Sequence, residues 1–350
     1  MKIAPKNTLL FVLFLLVGFV TLMGFQSKQK DSKYRSVDIG EFPVETILIQ
    51  LGDSSLNHSM SGFDSEKASL GEDLIRYGRT KKAGKYSKRI SKYFVCTDCH
   101  NLKREFNSLS SESSSERLTY AKNNGIPFLP GSTLSGVYNR TKFYNDDYIK
   151  KYGPLVENSR DTLANAIQLC AKYCASGRYL EEWELEAFMH YFKKNELKIK
   201  DLDLSENNLK NIQRYSLLKE DEKSKLIELI KSSYRQSYAA HFLKPIDTGK
   251  RLYGEGGDVE NGKLIYRKSC LHCHGGRRVT YLNLDESQLT ARMFWNNITN
   301  YTDKSLYQIV RYGTYAKTGR KQYMPLYTKE KMSDEQLNDL VAYIKKTAEK

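Results

Sequence analysis

Two five-residue segments hold the side chains best suited to chemistry: Cys96-Thr97-Asp98-Cys99-His100 and Cys270-Leu271-His272-Cys273-His274. A Cys-x-x-Cys-His run lets two thiols form thioethers with the vinyl groups of one haem while the adjacent imidazole reaches the iron as proximal ligand. Two copies predict two covalently bound haem c groups, one held by Cys96, Cys99 and His100, the other by Cys270, Cys273 and His274. Four thiolates can instead hold a tetrahedral zinc, but the pairs lie far apart along the chain in separate blocks, which argues against it. A thioredoxin-like redox pair fits neither segment, because neither sits in a βαβ pattern.

Haem iron then needs a sixth ligand or an open position. Tyr323-Met324-Pro325 lies in a loop shortly before Leu337 of the final helix, so the Met324 thioether is expected on the second iron, with Pro325 stiffening the loop. Met293 and Met332 are weaker candidates, and His272 points away from its own haem. The first block has no Met-Pro loop, and Met189 falls on a core stripe. Counting back from Leu185, Cys174 lies slightly nearer and Cys170 slightly farther than Met324 lies from Leu337, so the two bracket that spacing. A Cys170 thiolate is therefore the expected metal ligand of the first haem. Ligation by Cys174 stays open, as does a Cys170–Cys174 disulfide, although an i,i+4 pair on a helix suits disulfide geometry poorly.

The elements that must position these groups read as helices. Leu337, Leu340, Val341 and Ile344 recur at helical spacing behind a capping box, Ser333 to Gln336, and Leu185, Phe188, Met189 and Phe192 repeat the stripe. The two blocks thus form a degenerate internal repeat. Residues 162–175 and 181–194 are predicted helices, the first ended by Gly177. Helical signals also run from Gly71 to Val95, and Ser108 to Glu116 reads as an exposed loop. Leu226, Ile227, Leu229 and Ile230 mark a helical connector closed by Pro245. Gly257 to Lys263 imitates a phosphate-binding loop, but Leu264 stands where Ser or Thr is required. It reads better as the helix delivering Cys270. Strand signals are sparse, so the class is mostly α. The expected organisation is 1–26 signal peptide or anchor, 27–65 polar tether with one strand or docking segment at Val44 to Leu51, 66–198 first module, 199–248 connector and 249–350 second module.

Lys+Arg 56 against Asp+Glu 41 leaves a net charge of +15 over 350 residues. A mean hydropathy of −0.60 excludes a polytopic membrane protein, and 40% hydrophobic residues excludes general disorder. Six cysteines are too few for a disulfide scaffold. Lys2 and Lys6 precede an uncharged run, Leu9 to Phe25, the layout of an export signal or a single membrane anchor. The two lysines would remain cytoplasmic, placing the rest outside, periplasmic and either soluble or tethered. An exported protein meets little nucleic acid, so the basic surplus points to redox-partner proteins with acidic docking surfaces. Lys317, Arg320 and Lys321 flank Met324; such a charge cluster reads first as a solvated loop, and as a ring around an exposed haem edge only in second place.

With these residues in place, the chain resembles the dihaem c-type cytochromes built of two class I cytochrome c modules. Gly262-Lys263-Leu264-Ile265-Tyr266 leading to the second motif, then Leu306 to Val310, Met324-Pro325 and the last helix carry that resemblance. The first module is similar to the sulfur-oxidising dihaem cytochromes, including thiosulfate dehydrogenases, through Ala166-Ile167-Gln168-Leu169-Cys170 followed by Gly177. The resemblance implies single-electron transfer between partners. As the alternative, it implies oxidation of a small sulfur anion at the first haem. A dihaem peroxidase is disfavoured because no distal acid–base constellation is visible.

Overall fold

The computed structural model describes residues 38–300, 305–314 and 324–350. Helix α1 (Val44–Leu51) ends at Gly52, and α2 (Ser65–Tyr77) starts where the Asp64 carboxylate accepts the Glu66 and Lys67 N–H groups at 2.8 and 3.1 Å. Gly78, at φ 67°, stops α2, and a two-stranded hairpin, Lys81–Lys82 with Lys85–Tyr86, follows. The helical run expected as far as Val95 therefore ends early, because a left-handed glycine cap satisfies the last turn. Helix α3 (Ser114–Asn123) begins inside the Ser-rich stretch read as a loop, with Ser113 as its cap. Next come α4 (Leu163–Leu169), prolonged by a π-helical turn Cys170–Cys174, and α5 (Glu182–Lys194). The chain continues through α6 (Glu206–Gln213) and α7 (Glu220–Ser232) to α8 (Val259–Ile265). A second π turn, Tyr266–Cys270, leads from α8 into a short helix Leu271–His274. Helices α9 (Gln288–Asn296), α10 (Leu306–Tyr312) and α11 (Asp334–Ala348) complete a mostly α fold.

The internal repeat is visible in how the first and last helices of each block cross. At Gly71 of α2, an added Cβ would enter the Ala187 carbonyl of α5 and lie 2.9 Å from Tyr191 Cβ. At Gly262 of α8, it would enter the Asp339 carbonyl of α11 and lie 2.9 Å from Tyr343 Cβ. Both crossings need a residue without a side chain, so the backbones approach at equivalent points. The stripe on α11 packs inward as its spacing requires, with Leu337, Leu340, Val341 and Ile344 buried in one cluster; on α5 Phe188 and Phe192 are buried in the other, while Leu185 and Met189 are half-buried at its edge.

Residues Ile39–Lys350 form one unit, and its cores do not respect the expected module boundaries. Leu118, Ala121, Ile126 and Phe128 join the apolar cluster of the second block. Ser269 Oγ donates to the Phe128 carbonyl at 2.7 Å, and the Phe128 N–H donates to Lys268 O at 3.0 Å. A third cluster unites Val44, Ile47, Leu48 and Leu51 of α1 with Leu197, Ile199, Ile212, Leu226 and Ile230. The span 27–65 is thus not simply a polar tether. Val44 to Leu51 is a docked helix rather than a strand, its apolar face covering the connector and its ends pinned by Lys193–Glu45 (3.0 Å) and Lys231–Asp53 (2.8 Å). No described helix is long and apolar enough to cross a membrane. Residues 1–26, read as signal or anchor, lie outside the described residues.

Candidate functional site

The two motif histidines are held alike. His100 Nδ1 hydrogen-bonds the Ser132 carbonyl at 2.6 Å, and His274 Nδ1 hydrogen-bonds the Leu282 carbonyl at 3.1 Å. A carbonyl can only accept, so each Nδ1 carries the proton and each Nε2 presents its lone pair, the tautomer a metal requires. Burial lowers the pKa of both rings and keeps them neutral. At Gly131 an added Cβ would stand 2.5 Å from the Cys99 carbonyl oxygen and 2.6 Å from the His100 ring, so this backbone presses on the imidazole it orients. Cys96, Cys99, His100 and Tyr148 are only half-buried, yet burial dominates the ionisation of each.

The motifs, distant in sequence, touch. Cys273 Sγ donates to the Asp98 carbonyl at 3.8 Å, and Arg278 pairs with the Asp98 carboxylate at 3.0 Å. Arg278 also donates to the His272 carbonyl at 2.7 Å and meets His272 Nε2 at 2.8 Å. Separation along the chain is therefore no argument against a shared zinc. Among the described residues no group of three or more His, Cys, Asp or Glu side chains is placed to hold a metal ion. Burial pushes Cys96 and Cys270 up to about 12 and Cys273 to about 11, and raises Cys99 well above the ordinary thiol value.

Met324 is half-buried beside the end of α10, its N–H donating to Thr314 Oγ1 at 2.6 Å and its carbonyl accepting from the Thr314 N–H at 2.9 Å. Gly313, at φ 66°, lies so close that a Cβ would enter the Met324 carbonyl. Met332 is sealed in the core of the second block, and Met293 is exposed. Lys317, Arg320, Lys321 and Tyr323 lie outside the described residues. Cys170 and Cys174 are free thiols on the π turn, hydrogen-bonded to one another. That bond raises the pKa of Cys170 and lowers that of Cys174. Both thiols are felt by the first motif, Cys170 by Cys96 and Cys99, and Cys174 by Cys99. Met189 packs against the core beside them, and its neighbour His190 accepts the Asp64 N–H at 3.2 Å, a cap on α2.

Behind His100 lies a buried charge cluster that spacing did not reveal. Glu105 receives Arg117 through two bonds, 2.8 and 3.0 Å, and Asn101 Nδ2 at 2.8 Å. Burial would raise this carboxyl, but Arg117 and Lys331 outweigh it and hold it at about 2. Arg140 donates to the Thr133 and Ser135 carbonyls and stacks 4.3 Å over the Tyr238 ring. Lys331, from the second block, sits 5.3 Å from the same ring. These residues form no periodic pattern or motif, and only Asp98, inside a motif, had a sequence signal.

Residues 257–344 match the family described as cytochrome C oxidase, cbb3-type, subunit III. The matched stretch takes in the second motif, Met324 and most of α11, and supports a c-type cytochrome domain with covalently bound haem c there. No curated protein and no solved structure matches the chain.

Proposed function

We propose that the chain is a dihaem c-type cytochrome that passes single electrons between redox partners outside the cytoplasm. The observation that carries this reading is the pair of histidines, each following Cys-x-x-Cys and each tied through Nδ1 to a backbone carbonyl with Nε2 left to bind iron. Bound haem supplies one-electron exchange between ferric and ferrous iron. The protein's part is to fix the two imidazoles and to hold the motifs in contact through the Asp98–Arg278 ion pair. Met324 and a thiolate of the 170–174 turn, Cys170 in the first instance, serve as sixth ligands. Export through residues 1–26 and docking of acidic partners on the basic surface complete the reading.

Intact-mass measurement on protein matured with a cytochrome c assembly system tests it. Two covalent haems are expected, and Cys99→Ser with Cys96→Ser, or Cys273→Ser with Cys270→Ser, should each remove one. A single haem, or a zinc-bound haem-free product, refutes it. A second reading, oxidation of a small sulfur anion at the first haem, is favoured by the hydrogen-bonded thiols beside that motif. Thiosulfate added to the oxidised protein without a partner separates the two. Reduction of the protein supports the enzyme, and no reduction supports the carrier.

A further inference from the structure

Arg140 and Lys331 are more than nine-tenths buried, at 7% and 4% exposure, and neither forms an ion pair among the described residues. The carboxylates nearby are already engaged. Glu105 is taken in bidentate fashion by Arg117, and Glu330 by the His241 ring and its N–H. Arg140 has only carbonyl oxygens and the Tyr238 side chain, and the Lys331 ammonium has only the ring face. Removing an unpaired charge from water costs far more than a cation–π contact returns. Burial accordingly depresses Lys331 to about 7, with Arg117 and Arg140 adding to the effect.

The placement is equally specific. One loop, residues 131–135, offers the Gly131 carbonyl to Arg117, the Ser132 carbonyl to His100, and the Thr133 and Ser135 carbonyls to Arg140. The field of Arg140 and Lys331 is felt at His100. The three groups come from three parts of the chain: Arg140 from the first block, Tyr238 from the connector, Lys331 from the turn before α11.

We propose that Arg140 and Lys331, with Tyr238 between them, bind an anionic oxygen group beside the first motif. Two sources share this chemistry, a carboxylate of the haem held at His100 and a small free oxyanion. The first rests on the dihaem reading, and the second does not.

The test uses the full chain as matured, with haem content determined by mass, in wild type, Lys331→Met, Arg140→Met and Lys331→Arg. Resonance Raman spectroscopy reads the propionate bending modes, and thermal unfolding against sulfate concentration reads a free anion. If a haem carboxylate is the ligand, the bending modes shift in both Met variants, return in Lys331→Arg, and sulfate changes nothing. If a free oxyanion is the ligand, sulfate raises the unfolding temperature of wild type and Lys331→Arg, with at least tenfold weaker response in the Met variants, whatever the haem count. Should only the second motif carry haem while sulfate still protects, the dihaem reading fails and this site stands. Bending modes and sulfate response both unmoved by the Met variants would overturn the proposal, leaving the two cations a purely structural role. Arg140→Met and the wild-type sulfate titration keep the test decisive if Lys331→Met does not fold.

Discussion

Replacing Gly131 by Ala should damage the first site and spare the second. Gly131 has ordinary backbone torsions, so alanine is conformationally acceptable, and the effect isolates one methyl group. That methyl would lie 2.5 Å from the Cys99 carbonyl oxygen and 2.6 Å from both Cε1 and Nδ1 of His100. Neither neighbour can swing away. One is backbone, and the other is a ring pinned to Ser132 at 2.6 Å. Overpacking of this kind costs about 1–3 kcal/mol, and loosening the His100–Ser132 hydrogen bond adds about 0.5–1.5 kcal/mol. The expected loss is thus about 1.5–4.5 kcal/mol, read from guanidinium midpoints. The visible spectrum should show weakened proximal ligation for one haem only. Gly249→Ala, with no atom within 4 Å of the added Cβ, is the control and should stay within about 0.5 kcal/mol of wild type. If Gly131→Ala matches that control in midpoint and spectrum, His100 is not positioned as described.

Glu105→Gln removes one partner of a buried bidentate pair and should cost about 3–5 kcal/mol in denaturant unfolding. The same pair predicts acid sensitivity. A carboxyl held at about 2 rather than the ordinary 4.5 stabilises the fold fully above pH 4.5 and loses that contribution, about 3 kcal/mol, as pH falls toward 2; Glu105→Gln should flatten unfolding midpoints across that window. Met324→Ala should lower the higher of two midpoint potentials and leave the other nearly unchanged in a redox titration, and Gly313→Ala, by displacing the Met324 carbonyl, should act in the same direction. Cys170→Ser should raise the lower potential by removing an anionic ligand. If Cys174→Ser alone raises it, the ligand is Cys174.

The two Cys-x-x-Cys-His motifs and the helices beside them were legible because both rest on local pattern. Cys-x-x-Cys-His is a spacing, and the stripes on α5 and α11 follow the helical period. Gly71 and Gly262 were present in sequence, but only the crossings show why each is glycine. What escaped reading is non-local. Helix α1 looked like an island in a polar tether because its covering residues, Ile212, Leu226 and Ile230, lie far along the chain. Helix α3 was hidden because Ser113 and its neighbours serve as a cap, and serine-rich runs read equally as loop. The cluster of Glu105, Arg117, Arg140 and Lys331 draws single residues from distant segments, and no window could assemble it. The contact between the motifs depends on tertiary docking of segments remote in sequence, so their separation was a wrong reason for setting zinc aside.

That contact also dictates an order of assembly. With Asp98 set against Cys273 and Arg278, burial raises the pKa of all four half-buried motif thiols, which weakens them as nucleophiles. On the proposed dihaem reading, thioether formation at the first motif is favoured while the second half of the chain is undocked. Because Phe128 pairs with Lys268, and Arg117 with the carbonyl of Lys331, the first half cannot finish its own packing until the second arrives. On that reading the seam sets a window for haem attachment that closes with docking of the two halves.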